Sequence, residues 1–196
     1  MKKILCTLSF LTMMLFSITT AFAAPAELTN VIDENYDLKS IKTMAVATPY
    51  YKPSAQSVFL NEKKRPNAPK IVTTDMIVQS AIDVAKDDEI PIQLISDKQI
   101  NSAILNSTGA DIATLDKAEA KKLYKDNIGK YADAYVMFTF SNDSVVSMTA
   151  DIYDAKTNKW ILSYRISVRG MENDTIDNYN MFMHKFYRML EVESEK

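Results

Sequence analysis

Very few side chains in this sequence could do chemistry. His184 is the one histidine and Cys6 the one cysteine. Histidine is the side chain whose ordinary pKa puts a charge change near neutrality, yet no acid or serine stands at a recognisable interval from His184, and no serine sits in a nucleophile elbow. On a C-terminal helix His184 falls with Asp177, Met181, Arg188 and Glu191, away from the apolar stripe, and reads as a solvent-facing residue. Carboxylates cluster at Asp87-Asp88-Glu89 and at Glu172, Asp174 and Asp177. Either group could offer oxygens to a hard cation, but neither has the glycine and alternating ligands of a calcium loop, so both read as caps and solvated turns. Glycine is limited to Gly109, Gly129 and Gly170, too few for a phosphate-binding loop. The sequence therefore predicts no catalytic residue, no metal site and no cofactor.

Binding chemistry has better candidates. Tyr50 and Tyr51, at the end of a strand and the mouth of a long connection, would form an aromatic platform beside Lys52. Lys63, Lys64 and Arg65 could touch an anionic surface such as lipid headgroups or polysaccharide. Each charge contributes only about 1 kcal/mol near a charged membrane and is screened by salt, so the three would not anchor the protein alone.

The N-terminus sets the compartment. Lys2 and Lys3 precede an apolar run from Ile4 to about Ile18, and Ala21-Phe22-Ala23 supplies small residues at the positions a signal peptidase reads. The run is short for a membrane span. The expected product is an exported chain starting at Ala24, periplasmic or extracellular, with no transmembrane segment. Cys6 lies inside the leader, which leaves the product without thiols, disulfides or cysteine nucleophiles. Asp and Glu number 25 against 23 Lys and Arg, two of which are in the leader. An acidic product has no general electrostatic attraction to nucleic acid.

The elements that must hold these residues are legible in pattern. Residues 24–36 read as a polar, irregular lead. A strand follows at Ile41–Thr48, closed by Pro49, and residues 50–72, carrying Pro53, Pro66 and Pro69, read as one long loop. A helix is predicted over Thr74–Asp87, a strand over Glu89–Ile95 and a short helix over Lys98–Leu105 capped by Ser96 and Asp97. Strand, helix, strand implies a parallel pair with a right-handed crossover. A further helix starts near Asp116, with Asp116 and Glu119 in capping-box spacing, and ends at Gly129 in the left-handed conformation. A central strand, Tyr131–Phe140, leads to a hairpin of Ser144–Asp154 and Lys159–Arg169 turning at residues 154–158. The hairpin places Val146, Met148, Ala150 and Ile152, with Trp160, Leu162, Tyr164, Ile166 and Val168, on a core face. A last amphipathic helix spans Asp174–Leu190. The whole is one mixed α/β domain over residues 24–196, with a sheet of about five strands, part parallel and part antiparallel, and helices mainly on one face.

Three stretches, Tyr36–Val46, Ile128–Val136 and Tyr153–Ile161, resemble a class of small α/β bacterial envelope domains that includes the TolB N-terminal domain, the curli secretion lipoprotein CsgG and uncharacterised envelope lipoproteins. Asn158 stands where that class often has glycine, Lys130 and Tyr131 separate Gly129 from Ala132-Asp133, and no lipid-attachment cysteine is present. The resemblance implies a non-enzymatic role and brings no catalytic residues with it. The expectation is an exported binding or assembly module whose partner is an envelope protein or glycan. A hydrolase of an envelope polymer using Asp133 and Asp151, or a structural homodimer formed through the polar hairpin face with Arg165 and Arg169, is the alternative.

Overall fold

The computed structural model describes residues 27–64, 70–142, 145–169 and 175–196. The leader, its cleavage site after Ala23, and Arg65 lie outside the described residues. Among the described residues six strands form one sheet in the order β1-β6-β5-β4-β2-β3. They are β1 (Glu27–Ile32), β2 (Thr43–Val46), β3 (Gln93–Ser96), β4 (Ala134–Asn142), β5 (Val145–Asp154) and β6 (Trp160–Arg169). Among the described residues five α-helices accompany them: α1 (Ala55–Glu62), α2 (Thr74–Asp87), α3 (Asp97–Thr108), α4 (Lys117–Asn127) and α5 (Ile176–Glu195). None of the described helices is long and apolar enough to cross a membrane.

The sheet is mixed, as the pattern predicts. β2 pairs in parallel with β3 and β4, while β4, β5, β6 and β1 are joined antiparallel. The sixth strand is β1, inside the stretch read as an irregular lead. It is an edge strand with Leu28 54% and Val31 60% exposed, so its sequence lacks the apolar alternation of a half-buried strand. Ladder bonds to β6, rather than side-chain burial, hold it.

The connection read as a loop over residues 50–72 contains α1. Ser54 caps that helix, its hydroxyl accepting from Ser57 N at 3.1 Å. The helix has no amphipathic stripe, because among the described residues its buried position is a serine, Ser57, while its aromatic residue, Phe59, is exposed. Periodicity has nothing to detect there.

Two apolar clusters flank the sheet. One joins Met44, Val46, Val136, Phe138, Met148 and Ile166 to α2 and α5, where Phe186 stands edge-on to Phe138 at 5.6 Å. Alternation along the strands turns Ala45 and Tyr135 to the other side, where they meet Ile100 and Ile104 of α3, Ile128 and Ala155. Thus α2 and α5 cover one face as expected, and α3 with the α4 segment covers the opposite face at the parallel end.

Local signals explain the ends of these helices. Ser96 and Gln99 form a reciprocal capping box on α3, and Gly109 ends it at φ +73°. Asp116 accepts from Ala118 N and Glu119 N at the start of α4. Gly129, expected in a left-handed cap, instead lies in the 3₁₀ turn Ile128–Lys130 without a positive φ. Its reason is close approach, since a β-carbon there would sit 2.8 Å from the Ala155 carbonyl oxygen. The hairpin turn places Asn158 at φ +57°, a conformation asparagine tolerates. A register shift between Ile152 and Tyr153 pairs Tyr153 with Trp160. Ile161 is fully buried in the core and Trp160 is 36% exposed, so Trp160 leaves the core face it was assigned.

Candidate functional site

After β2 ends at Val46 the chain does not leave β4. Ala47 N donates to Val136 O at 3.0 Å, Tyr50 N to Phe138 O at 2.8 Å, and Phe140 N to Tyr50 O at 2.9 Å. Tyr50 and Thr139 form an isolated parallel bridge. This interrupted pairing fixes the two tyrosines, because successive residues in extended chain point to opposite faces. Tyr51 turns into the main core, edge-on to Phe140 at 6.5 Å and to Tyr179 at 5.9 Å. Tyr50 points outward and is 70% exposed. The two rings do not make one platform.

Tyr50 instead faces α1. Between that helix and the end of β4 lies an open groove of about 530 Å³, with Tyr50, Lys52 and Phe59 among its lining residues. Phe59 is 53% exposed. Polar groups share the lining: Ser54, Glu62, Ser141 and Asn142. Asn142 Nδ2 donates to Lys52 O at 2.9 Å, tying the strand end to the segment that enters α1. Two exposed rings on one groove, with hydroxyl and amide groups in the same lining, can stack on and hydrogen-bond to a ligand.

The basic residues divide. Lys52 lines the groove. Lys63 lies at the end of α1 with its Nζ 5.8 Å from the Phe59 ring centroid, a cation–π arrangement. Lys64 sits in the turn beyond at φ +48°. Of the six predicted residues the structure gathers Tyr50 and Lys52 in the groove and Lys63 against its Phe59 wall. Sequence reasoning missed Phe59, Ser54 and Asn142. The spacing of Ser54 and Ser57 at a helix start was the available signal for α1.

A second groove, about 590 Å³, runs between α2, α5 and the start of α3 and includes Asp75, Asp97, Lys98 and His184. Several of its polar groups tie neighbouring elements together. His184 Nδ1 lies 2.8 and 2.9 Å from the two carboxylate oxygens of Asp88, bridging α5 to the end of α2 rather than facing only solvent. Asp97 accepts from Thr48 Oγ1 at 2.6 Å and from Lys98 N at 2.8 Å. Lys98 pairs with Asp75 at 2.7 Å, and Ser80 hydrogen-bonds Asn180 across the helix seam. Among the described residues no group of three or more His, Cys, Asp or Glu is placed to hold a metal ion.

Asp133 is committed to the fold. Its carboxylate accepts from Lys42 N at 3.0 Å, Thr43 N at 2.9 Å and Thr43 Oγ1 at 3.0 Å. Burial works to raise its pKa, but these bonds and nearby Lys156 outweigh it and hold the carboxyl below the usual range. Asp151 accepts from Ser163 Oγ at 2.6 Å and pairs in register with Met137. Asp133 and that register position are four residues apart along the β4 segment, roughly 13 Å at strand rise. Paired acids in glycosidases stand about 5–9.5 Å apart.

No family model matches the chain, and no curated protein does. Among solved structures it is similar to the PelC dodecamer from Paraburkholderia phytofirmans, with 10% identity, 84% of this chain and 96% of that one covered, and a TM-score of 0.43. It is similar to lipoprotein GNA1162 from Neisseria meningitidis at 13% identity, with 76% and 96% covered and a TM-score of 0.40. It is also similar to the LpoB C-terminal domain from Escherichia coli at 14% identity, with 68% and 98% covered and a TM-score of 0.36. All three are bacterial proteins, one is described as a lipoprotein, and none is TolB or CsgG; at this level of similarity they say nothing about what the present chain binds.

Proposed function

We propose that this chain is an exported, non-enzymatic binding module that recognises another envelope component, a protein or a glycan, through the groove between α1 and the end of β4. The observation that carries the reading is the pair of exposed rings, Tyr50 at 70% and Phe59 at 53%, set on one groove with a polar lining. Exposing two large rings to water is unfavourable unless a partner covers them, and aromatic residues carry much of the energy at recognition surfaces. The leader read at residues 1–23 supports export. The groove supports a ligand that presents both an apolar face and hydrogen-bonding groups.

The hydrolase alternative loses its pair of acids, since Asp133 is spent on β2 and stands far from Asp151. A photo-reactive residue at Tyr50, introduced in intact cells, tests the binding reading. A specific cross-linked envelope protein or glycan is expected from position 50 and none from position 51, whose ring is turned into the core. A folded, exported variant that captures nothing at position 50 would remove the reading.

A further inference from the structure

We propose that the outer edge of β1 pairs with β1 of a second copy of this chain, antiparallel and centred on Asn30. The inference stands apart from the groove and rests on which backbone groups β1 leaves open. Asp33 N donates to Ile161 O at 2.8 Å, continuing a ladder whose register is Val31 with Ser163, Thr29 with Arg165 and Glu27 with Ser167. In an antiparallel pair, alternate residues bond to the same neighbour. The N–H and C=O groups of Leu28, Asn30 and Ile32 therefore point away from β6. Among the described residues no strand lies on that side.

Edge strands usually carry a device against pairing, such as proline, lysine, a bulge or extreme shortness. Glu27-Leu-Thr-Asn-Val-Ile32 has six residues, no proline and no basic residue. Its Leu28 and Val31 are exposed on opposite faces. The other edge, β3, has four residues and runs directly into α3, which makes it the poorer template.

The sequence of β1 is complementary to itself in one register. Symmetric antiparallel pairing puts residues of the same face opposite each other. With the axis at Asn30, Leu28 meets Ile32 and Thr29 meets Val31, and the symmetry repeats each pair, so two apolar pairs form on one face and two β-branched pairs on the other. The same register makes Leu28 with Ile32, and Asn30 with its own copy, the hydrogen-bonded pairs, which are the residues whose groups point outward. With the axis at Thr29, Leu28 would face Asn30, setting an apolar side chain against an amide.

Sedimentation equilibrium of the chain beginning at Ala24 tests this. A concentration-dependent dimer is expected. Asn30→Pro removes the outward N–H at the axis without removing a bond to β6, and should weaken the dimer about tenfold or more while the fold is retained. Because the only cysteine is Cys6, Asn30→Cys in that chain provides an independent reading that does not need the proline to be tolerated. A short thiol cross-linker should join copies through position 30 and not through Asn61→Cys on α1. A chain monomeric at every concentration overturns the proposal. So does a dimer that does not cross-link at position 30.

Discussion

The Ala155 carbonyl oxygen occupies the space a side chain on Gly129 would need: a β-carbon there would lie 2.8 Å from it, and 3.0 Å from Lys156 Cα. Both neighbours are backbone, in the hairpin turn that Asp154 organises by accepting from Thr157 N and Oγ1. They cannot rotate away. Gly129→Ala should therefore destabilise the domain by about 1–3 kcal/mol through overpacking, read as a lower urea midpoint. Gly109→Ala makes a useful contrast. Nothing lies within 4 Å of a β-carbon there, but φ is +73°, so its cost should be about 1 kcal/mol and purely conformational.

Tyr50 and Tyr51 should separate in the same way. Tyr51→Ala removes a ring packed on Phe140 and Tyr179 and should cost about 2–4 kcal/mol of stability. Tyr50→Ala takes a 70% exposed ring from the groove and should leave the urea midpoint within about 0.5 kcal/mol of the parent. Only Tyr50→Ala should abolish partner capture in a protein that is still fully folded. Equal destabilisation by the two variants would contradict the assignment of opposite faces.

How much was legible in the sequence divides along the same physical line. Elements with a buried face wrote a period into the sequence: α2 has the predicted bounds Thr74–Asp87, and the β5–β6 hairpin turns where residues 154–158 said it would. Elements without one were silent. β1 is held by the backbone of β6, and α1 by a serine cap and the chain around Asn142, so neither displays an apolar repeat. The candidate site lies on such an element. Tyr50 and Lys52 were visible by residue type, but Phe59 became a groove wall only through a helix that periodicity could not see. The pairing of Tyr50 with Tyr51 failed because adjacency in sequence means opposition in a strand. His184 read as solvent-facing because Asp88 is 96 residues away in sequence.

The hydrogen bonds to Asp133 imply a specific acid sensitivity. Its folded pKa is depressed, so the carboxylate contributes stability that is present above the unfolded value and is lost as pH falls through the folded one. The contribution is whole at neutral pH and begins to be lost as pH falls below the ordinary aspartate value near 4. Asp133→Asn should cost about 1 kcal/mol at pH 7, a modest figure because water reaches the site and screens it. The gap between variant and parent should narrow as pH falls below the ordinary aspartate range and through the depressed folded pKa. Urea titrations at several pH values measure this; a gap independent of pH would mean that shape rather than charge is what Asp133 supplies.

Tyr187 offers a change in the opposite direction. Its ring is fully buried on α5, packed 5.0 Å from Phe186, and among the described residues its hydroxyl has no hydrogen-bond partner. Burial, with Asp88 nearby, pushes the phenol's pKa well above its usual value, so the group stays neutral and gains nothing from ionisation. A buried hydroxyl without a partner gives up its bonds to water and receives none in return, a loss of about 1–3 kcal/mol. Tyr187→Phe keeps the ring and removes that loss. It should stabilise the domain by about 0.5–1.5 kcal/mol, since the vacated space recovers part of the gain as a small void. A raised urea midpoint with an unchanged slope is the expected result. A destabilised variant would show that the hydroxyl has a partner, for which the carboxylate of Asp88, close enough to act on the phenol, is a candidate.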